Sequence, residues 1–284
     1  MLKIERRPTY LSPSSLSNLE KMPNTSYLTR LIEDRFMRDD QSLAAAVGTS
    51  FDIKVKEKLI EDKLVPVERA QLLPDIRSAL QNHHTQANIL GDTIMKEYTR
   101  LIYDDHSFVD VEMHRTWNYC GIPIMTKADA SIMIPDWDKP IVHDFKCSGF
   151  GNNHGMSPKP GFAVQAKGDS WKPAHKKWHK NIRMEEIDKT WASQFATYGW
   201  ALGYSENGEF ESFPVSADMI TITKTKKIAI SHYVAWITIE FQRELFNRYK
   251  AIWNSIQDSS YLKNIADTED LGIVALAALS ERWF

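Results

Sequence analysis

Apolar residues recur along this chain at two different spacings. Over Ser14 to Leu31, Gln41 to Glu61 and Pro74 to Tyr103 they fall at the three- and four-residue intervals of a helix face, and Pro66 and Pro74 punctuate the connection between the last two. From Phe108 to Cys147 the pattern changes to β-branched, apolar runs that predict strands. Two of these, Ile122 to Ile134 and Ile141 to Cys147, flank the turn-rich stretch Pro135 to Pro140, which reads as a hairpin loop. After a long irregular segment the pattern predicts a helix over Glu185 to Leu202 and strands over Met219 to Thr223 and Ile228 to Ile239. Helices over Glu240 to Ile256 and Asp270 to Trp283 close the chain. A strand-rich middle between helix-rich ends predicts an α/β layer architecture, a mixed central β-sheet with helices on its faces.

At 284 residues and 43% hydrophobic content the chain can bury a large core. The expected organisation is one domain over 1–284: a helical part over 1–107, a core over 108–240 carrying a basic loop at 149–189, and C-terminal helices over 241–284. A net charge of −2 gives no general attraction to nucleic acid, so any such contact must come from local asymmetry. Met1 to Tyr10 are charged rather than apolar, and the chain has two cysteines, which together point to a reducing cytosol. The run Ile273 to Leu279 falls short of the ~20 apolar residues that span a bilayer, so no membrane role is expected.

The strands carry the candidate chemistry. Asp129 ends Lys127-Ala-Asp129 in the first run, and the second holds Asp144-Phe145-Lys146. Side chains two apart on a strand share a face, so Asp144 and Lys146 point together while Phe145 points into packing. Crowded carboxylates repel unless a cation lies between them, and hard oxygen ligands suit Mg²⁺ or Mn²⁺. The bland alternative is a cross-strand ion pair. Glu112 supplies another acid just upstream. Gln194 and Tyr198, four apart on the predicted helix, share one of its faces.

The segment 149–189 holds the local charge asymmetry. Lys159, Lys167, Lys172, Lys176, Lys177, Lys180 and Arg183 stand there against Asp169, with Phe162, Trp171 and Trp178 interleaved. Cations neutralise phosphates and aromatic rings stack on exposed bases, a combination suited to single strands or frayed ends. The alternative is a solvated loop whose tryptophans pack on the body. His175 and His179 are four apart but lack the glutamate of a zinc-protease helix. Cys147 reads as a packed cysteine, and Ser148 has no nearby base.

These features, in this order, resemble the RecB-type branch of the PD-(D/E)XK nuclease superfamily, which includes phage and CRISPR-adaptation exonucleases. The resemblance runs from Leu11-Ser-Pro-Ser-Ser-Leu16, through Gly48-Thr-Ser-Phe-Asp52, to Gln194 and Tyr198. It implies a restriction-endonuclease-like core with helical N- and C-terminal additions. It also implies roles: Asp129 and Asp144 as metal ligands, joined by the backbone carbonyl of Phe145; Lys146 as the catalytic lysine; Glu112 as an auxiliary acid; Gln194 and Tyr198 as the residues lining the DNA side of the site. The family commonly has histidine where this chain has Asp52, which can still ligate Mg²⁺ or Mn²⁺. Relatives that hold an iron–sulfur cluster use four cysteines; with Cys120 and Cys147 alone, no such cluster is expected.

The expected function is a metal-dependent DNA nuclease, foremost an exonuclease in phage or bacterial recombination, repair or degradation, with a recombination protein as a candidate partner. A structure-specific endonuclease or nickase is one rival. A catalytically silent DNA- or partner-binding protein with the same fold is the other.

Overall fold

In chain order the elements are α1 (Pro13–Lys21), α2 (Leu43–Glu61), α3 (Thr85–Leu101), β1 (Ser107–Val111), β2 (His114–Tyr119), β3 (Ile122–Lys127), β4 (Ala130–Met133) and β5 (Ile141–Ser148). They continue with β6 (Ala163–Ala166), α4 (Met184–Ile187), α5 (Lys189–Ala201), β7 (Ser205–Glu206), β8 (Glu209–Phe210), β9 (Phe213–Ile222), β10 (Ile228–Ile237) and α6 (Ile239–Gln257). The computed structural model describes residues 9–21, 43–62, 85–101, 107–112, 114–134, 137–148, 163–166, 183–206, 208–222 and 228–258. The expected closing helix over Asp270 to Trp283 lies outside the described residues.

The chain divides into two compact units, one of Met1–Asp39, Thr116–Met125 and Glu240–Phe284, the other of Asp40–Arg115 and Thr126–Ile239. The second contains a six-stranded sheet of order β1-β4-β5-β9-β10-β6. Its pairings are antiparallel except β5 with β9, which is parallel. The sheet is therefore mixed, as the strand and helix pattern predicts.

Strand β5 is an interior strand, and Ile141 to Phe145 are all buried, as expected where helices cover both faces of a sheet. On one face Phe145 meets Phe51 of α2 and Tyr98 of α3, with ring centroids 6.1 and 5.9 Å away. The two helices press closely together: a Cβ on Gly91 would fall 2.4 Å from Ser50 Oγ. On the opposite face Trp191 of α5 lies over Lys146, its centroid 5.6 Å from Nζ.

The α2/α3 face also buries a polar network. Tyr98 donates to Asp218 Oδ2 at 2.6 Å, and His143 places Nε2 3.2 Å from the same oxygen and Nδ1 2.8 Å from Ser216 Oγ. His143 thus turns away from Asp144 and Lys146, as strand alternation requires.

Among the described residues, several boundaries differ from the sequence pattern. The run Ile122 to Ile134 is two strands: β3 belongs to a two-stranded sheet with β2, and β4 joins the large sheet. The β2–β3 turn places Cys120 and Gly121 at φ 50° and 84°, the positive pair that tight hairpins need. The predicted helix over Glu185 to Leu202 is interrupted at Asp188, which caps α5 by accepting from the amides of Thr190 and Trp191 at 2.8 and 3.0 Å. Strand β9 starts at Phe213 rather than Met219. Pro214 is tolerated because it precedes the parallel pairing with β5, which begins at Val215.

In the first unit Ser12 caps α1, its Oγ accepting from the Ser15 amide at 3.3 Å while its own amide donates to Ser15 Oγ at 2.6 Å; Pro13 opens the helix. Leu11 hydrogen bonds through its backbone to Pro123 and Met125, both at 2.8 Å. Arg248 of α6 pairs with Glu20 at 2.5 Å. No helix among the described residues is long and apolar enough to cross a membrane.

Candidate metal and catalytic centre

Asp144 and Lys146 share a face of β5, and Lys146 Nζ lies 2.5 Å from Asp144 Oδ2. Asp129 stands at the entry to β4, where Ala130 pairs with His143. It therefore comes beside Asp144, and its Oδ2 accepts from the Phe145 amide at 3.3 Å. Glu112 leaves β1 in the left-handed region, at φ 54°, while its amide donates to the Asp129 carbonyl at 3.0 Å. That backbone costs a non-glycine residue about 1–2 kcal/mol, and it is held where the Glu112 carboxylate enters the acidic cluster. Asp52 enters from α2.

A residue the sequence pattern did not single out occupies the centre. Lys56, one helical turn beyond Asp52, has a side chain 0% exposed. Its Nζ donates to Asp52 Oδ2 at 2.6 Å, to Asp129 Oδ1 at 3.2 Å and to Glu112 Oε1. Lys127 reaches the other oxygen of Glu112 at 2.6 Å. Lys56 and Lys127 on one side and Lys146 on the other thus set three ammoniums against four carboxylates. A buried charge is tolerated only when paired in this way.

The protonation pattern follows from burial and charge together. Burial pushes Asp52 up to about 6, with the charge of Asp129 adding to the rise and Lys56 opposing it. Burial also pushes Asp129 up, but Lys56, the hydrogen bond with Asp144 and Lys146 outweigh it and hold this carboxyl well below the usual range. Asp144 goes the other way, raised well above its ordinary value by burial and by the charge of Asp129. For Lys56 and Lys146 the surrounding carboxylates overcome burial and raise both. Two carboxyls facing one another need a proton or a cation between them.

The donor set fits a divalent cation. Asp52, Glu112 and Asp129 each offer an oxygen, all within 4.8 Å of one another. Asp52 Oδ1 and Asp144 Oδ1 are buried without a hydrogen-bond partner among the described residues. Carboxylate oxygens in this arrangement suit Mg²⁺ or Mn²⁺.

Gln194 and Tyr198 lie on a half-buried stripe of α5 together with Trp191, while Ala192, Phe195 and Ala196 are buried. Trp191, at the start of that stripe, lies over Lys146 and so beside Asp144. Trp191 was not anticipated; its spacing from Gln194 and Tyr198 is the signal that could have found it. Arg183 is exposed and lies 3.7 Å from Glu186. Lys159, Lys167, Trp171, Lys172, Lys176, Lys177 and Lys180 lie outside the described residues, as do His175 and His179. Cys147 packs against α2, where a Cβ on Gly48 would come 3.3 Å from its own. Burial, then the charge of Asp52, pushes its thiol up to about 12, which favours the protonated form at neutral pH.

No family profile matches the chain, and no curated protein matches it. Among solved structures it is similar to a provisionally named exonuclease from Eubacterium rectale, at 16% identity and a TM-score of 0.49, over 90% of this chain and 82% of that one.

Proposed function

We propose that this chain is a Mg²⁺- or Mn²⁺-dependent DNA nuclease of the PD-(D/E)XK type that degrades DNA from its ends. The observation that supports this reading is the pairing of Asp129 and Asp144 beside Lys146, with Asp52 and Glu112 in the same acidic cluster and Trp191 of α5 over the lysine. A facing acid pair with an ammonium at its edge suits phosphodiester hydrolysis better than acyl transfer, and among the described residues no activated hydroxyl or thiol stands in the cluster.

In this reading Asp129 and Asp144, with Asp52, hold the divalent ion, and the Phe145 carbonyl is an additional donor. When bound, such an ion polarises a phosphoryl oxygen and makes water more acidic. Lys146 steadies the attacking water and offsets the negative charge that grows on the phosphoryl oxygens as the bond to the leaving oxygen breaks. Trp191 fixes the path of the Lys146 side chain. Gln194 and Tyr198 position the strand, and the basic segment ending at Arg183 holds flanking DNA. The cellular setting consistent with such an activity is phage or bacterial DNA recombination, repair or degradation.

The test uses matched linear and covalently closed circular DNA with Mn²⁺ or Mg²⁺, beside Asp144→Asn. Loss of linear DNA alone, with the variant inactive but still binding DNA, is the expected result. Cutting of the circle selects an endonuclease, and turnover in Asp144→Asn comparable to the wild type refutes the site.

A further inference from the structure

The carboxylates divide their oxygens between two kinds of neighbour. Asp52 Oδ2, Glu112 Oε1 and Asp129 Oδ1 all turn to Lys56 Nζ. Asp52 Oδ1 and Asp144 Oδ1 turn to no hydrogen-bond partner among the described residues although both are buried, and Asp144 as a residue is only 3% exposed. Asp129 Oδ2, taking a 3.3 Å bond from the Phe145 amide, lies on the Asp144 side. The cluster thus has one cation position filled by Lys56, whereas on the Asp144 side Lys146 takes only Oδ2 and leaves Oδ1 open.

The filled position is a strong one. Asp52, Glu112 and Asp129, the three partners of Lys56, bring one oxygen each within 4.8 Å of one another, near enough to ligate a small divalent ion, yet an ammonium and a metal ion cannot share the space among them. Lys56 is completely buried and held by three carboxylates, and Lys127 closes the far side of Glu112 at 2.6 Å. Withdrawing the ammonium would require it to leave all three partners and find others for a buried charge, which is costly. An ion entering the cluster therefore meets less resistance on the Asp144 side.

Resting on the metal-dependent reading above, we propose that Lys56 is a resident cation standing where a second divalent ion would otherwise bind. The centre then takes one ion, at Asp129 and Asp144 with Asp52, while Glu112 serves Lys56 instead of the metal. Lys56 is a positioning residue: it fixes the orientation of Asp52 and Asp129, leaving one oxygen of each for the ion.

The experiment is Mn²⁺ titration of the full chain, read by calorimetry for stoichiometry and by electron paramagnetic resonance for spin coupling between ions. One uncoupled ion per chain is expected. Two ions, or a coupled pair, overturn the role of Lys56 while leaving metal dependence intact; no bound ion overturns the metal-dependent reading itself. Lys56→Met should raise the stoichiometry from one to two, and a folded variant that still takes one ion counts against the proposal. Since that substitution leaves three carboxylates without their cation and so threatens folding, Glu112→Gln in the otherwise native chain is the second test. It should retain the single ion, whereas loss of the ion would place the metal at Glu112 and overturn the assignment.

Discussion

Lys146 and Asp52 carry the clearest expectations for single residues. Lys146 is held between Asp144 and the Trp191 ring, so Lys146→Ala removes charge stabilisation without opening the core. Turnover should fall by roughly 10² or more, as for loss of a group that stabilises transition-state charge. Steady-state kinetics on linear DNA would check it, and an unchanged rate would leave Lys146 as a structural ion-pair partner. Asp52 governs a pH dependence. Its carboxyl rises in the fold from 3.8 to about 6, so the folded state holds the proton more tightly than the unfolded one. The sign follows: metal-free stability falls as pH rises through that window, and Asp144, also raised, acts in the same sense. Asp129, held low, acts in the opposite sense but only as pH falls below its unfolded value. Denaturant midpoints of Asp52→Asn between pH 4 and 6, in the presence of chelator, should therefore slope less steeply than the wild type.

At the scale of elements, close packing places the helices against the sheet. Gly199 in α5 is pressed against the ring of Phe213 in β9, and a Cβ there would fall 2.2 Å from the ring. Phe213 cannot swing away, because it is fully buried and stacked on Tyr204 at 4.4 Å between centroids. Alanine would raise helix propensity by up to about 1 kcal/mol, but overpacking a rigid contact costs about 1–3 kcal/mol. At this separation the second effect wins. Gly199→Ala should lower stability in equilibrium unfolding, and since α5 carries Trp191, Gln194 and Tyr198, it should lower activity as well. A stability equal to the wild type would show that α5 can shift relative to β9.

For the molecule as a whole, nearly neutral charge and a concentrated acidic cluster have opposite consequences. The net charge of −2 draws in neither DNA nor metal from a distance. The cluster, by contrast, keeps Asp52 Oδ1 and Asp144 Oδ1 buried without hydrogen-bond partners among the described residues, a local cost that cation binding relieves. A ligand that binds only the folded state stabilises it by an amount that grows with its concentration over Kd. Mn²⁺ should therefore raise the melting temperature of the wild type, and chelation should reverse the rise. Asp144→Asn should show a smaller shift. An identical shift in the variant would place the ion elsewhere.

Strand alternation alone put Asp144 and Lys146 on one face and His143 and Phe145 on the other, because a period of two leaves no other choice once β5 is a strand. The apolar runs likewise announced β5, β10, α2 and α3, since burial against a common sheet imposes its period on the sequence. The break between β3 and β4 was not legible. Ile122 to Ile134 is uniformly strand-like, and which sheet each half joins depends on partners distant in sequence. Nor could the sequence show that Glu112 turns left-handed, that Trp191 covers Lys146, or that Lys56 reaches Asp129 and Glu112 as well as its helical neighbour Asp52. The residue types of the centre were written in the chain; their pairing was decided by tertiary packing, because a buried ammonium takes whichever carboxylates the fold brings within reach.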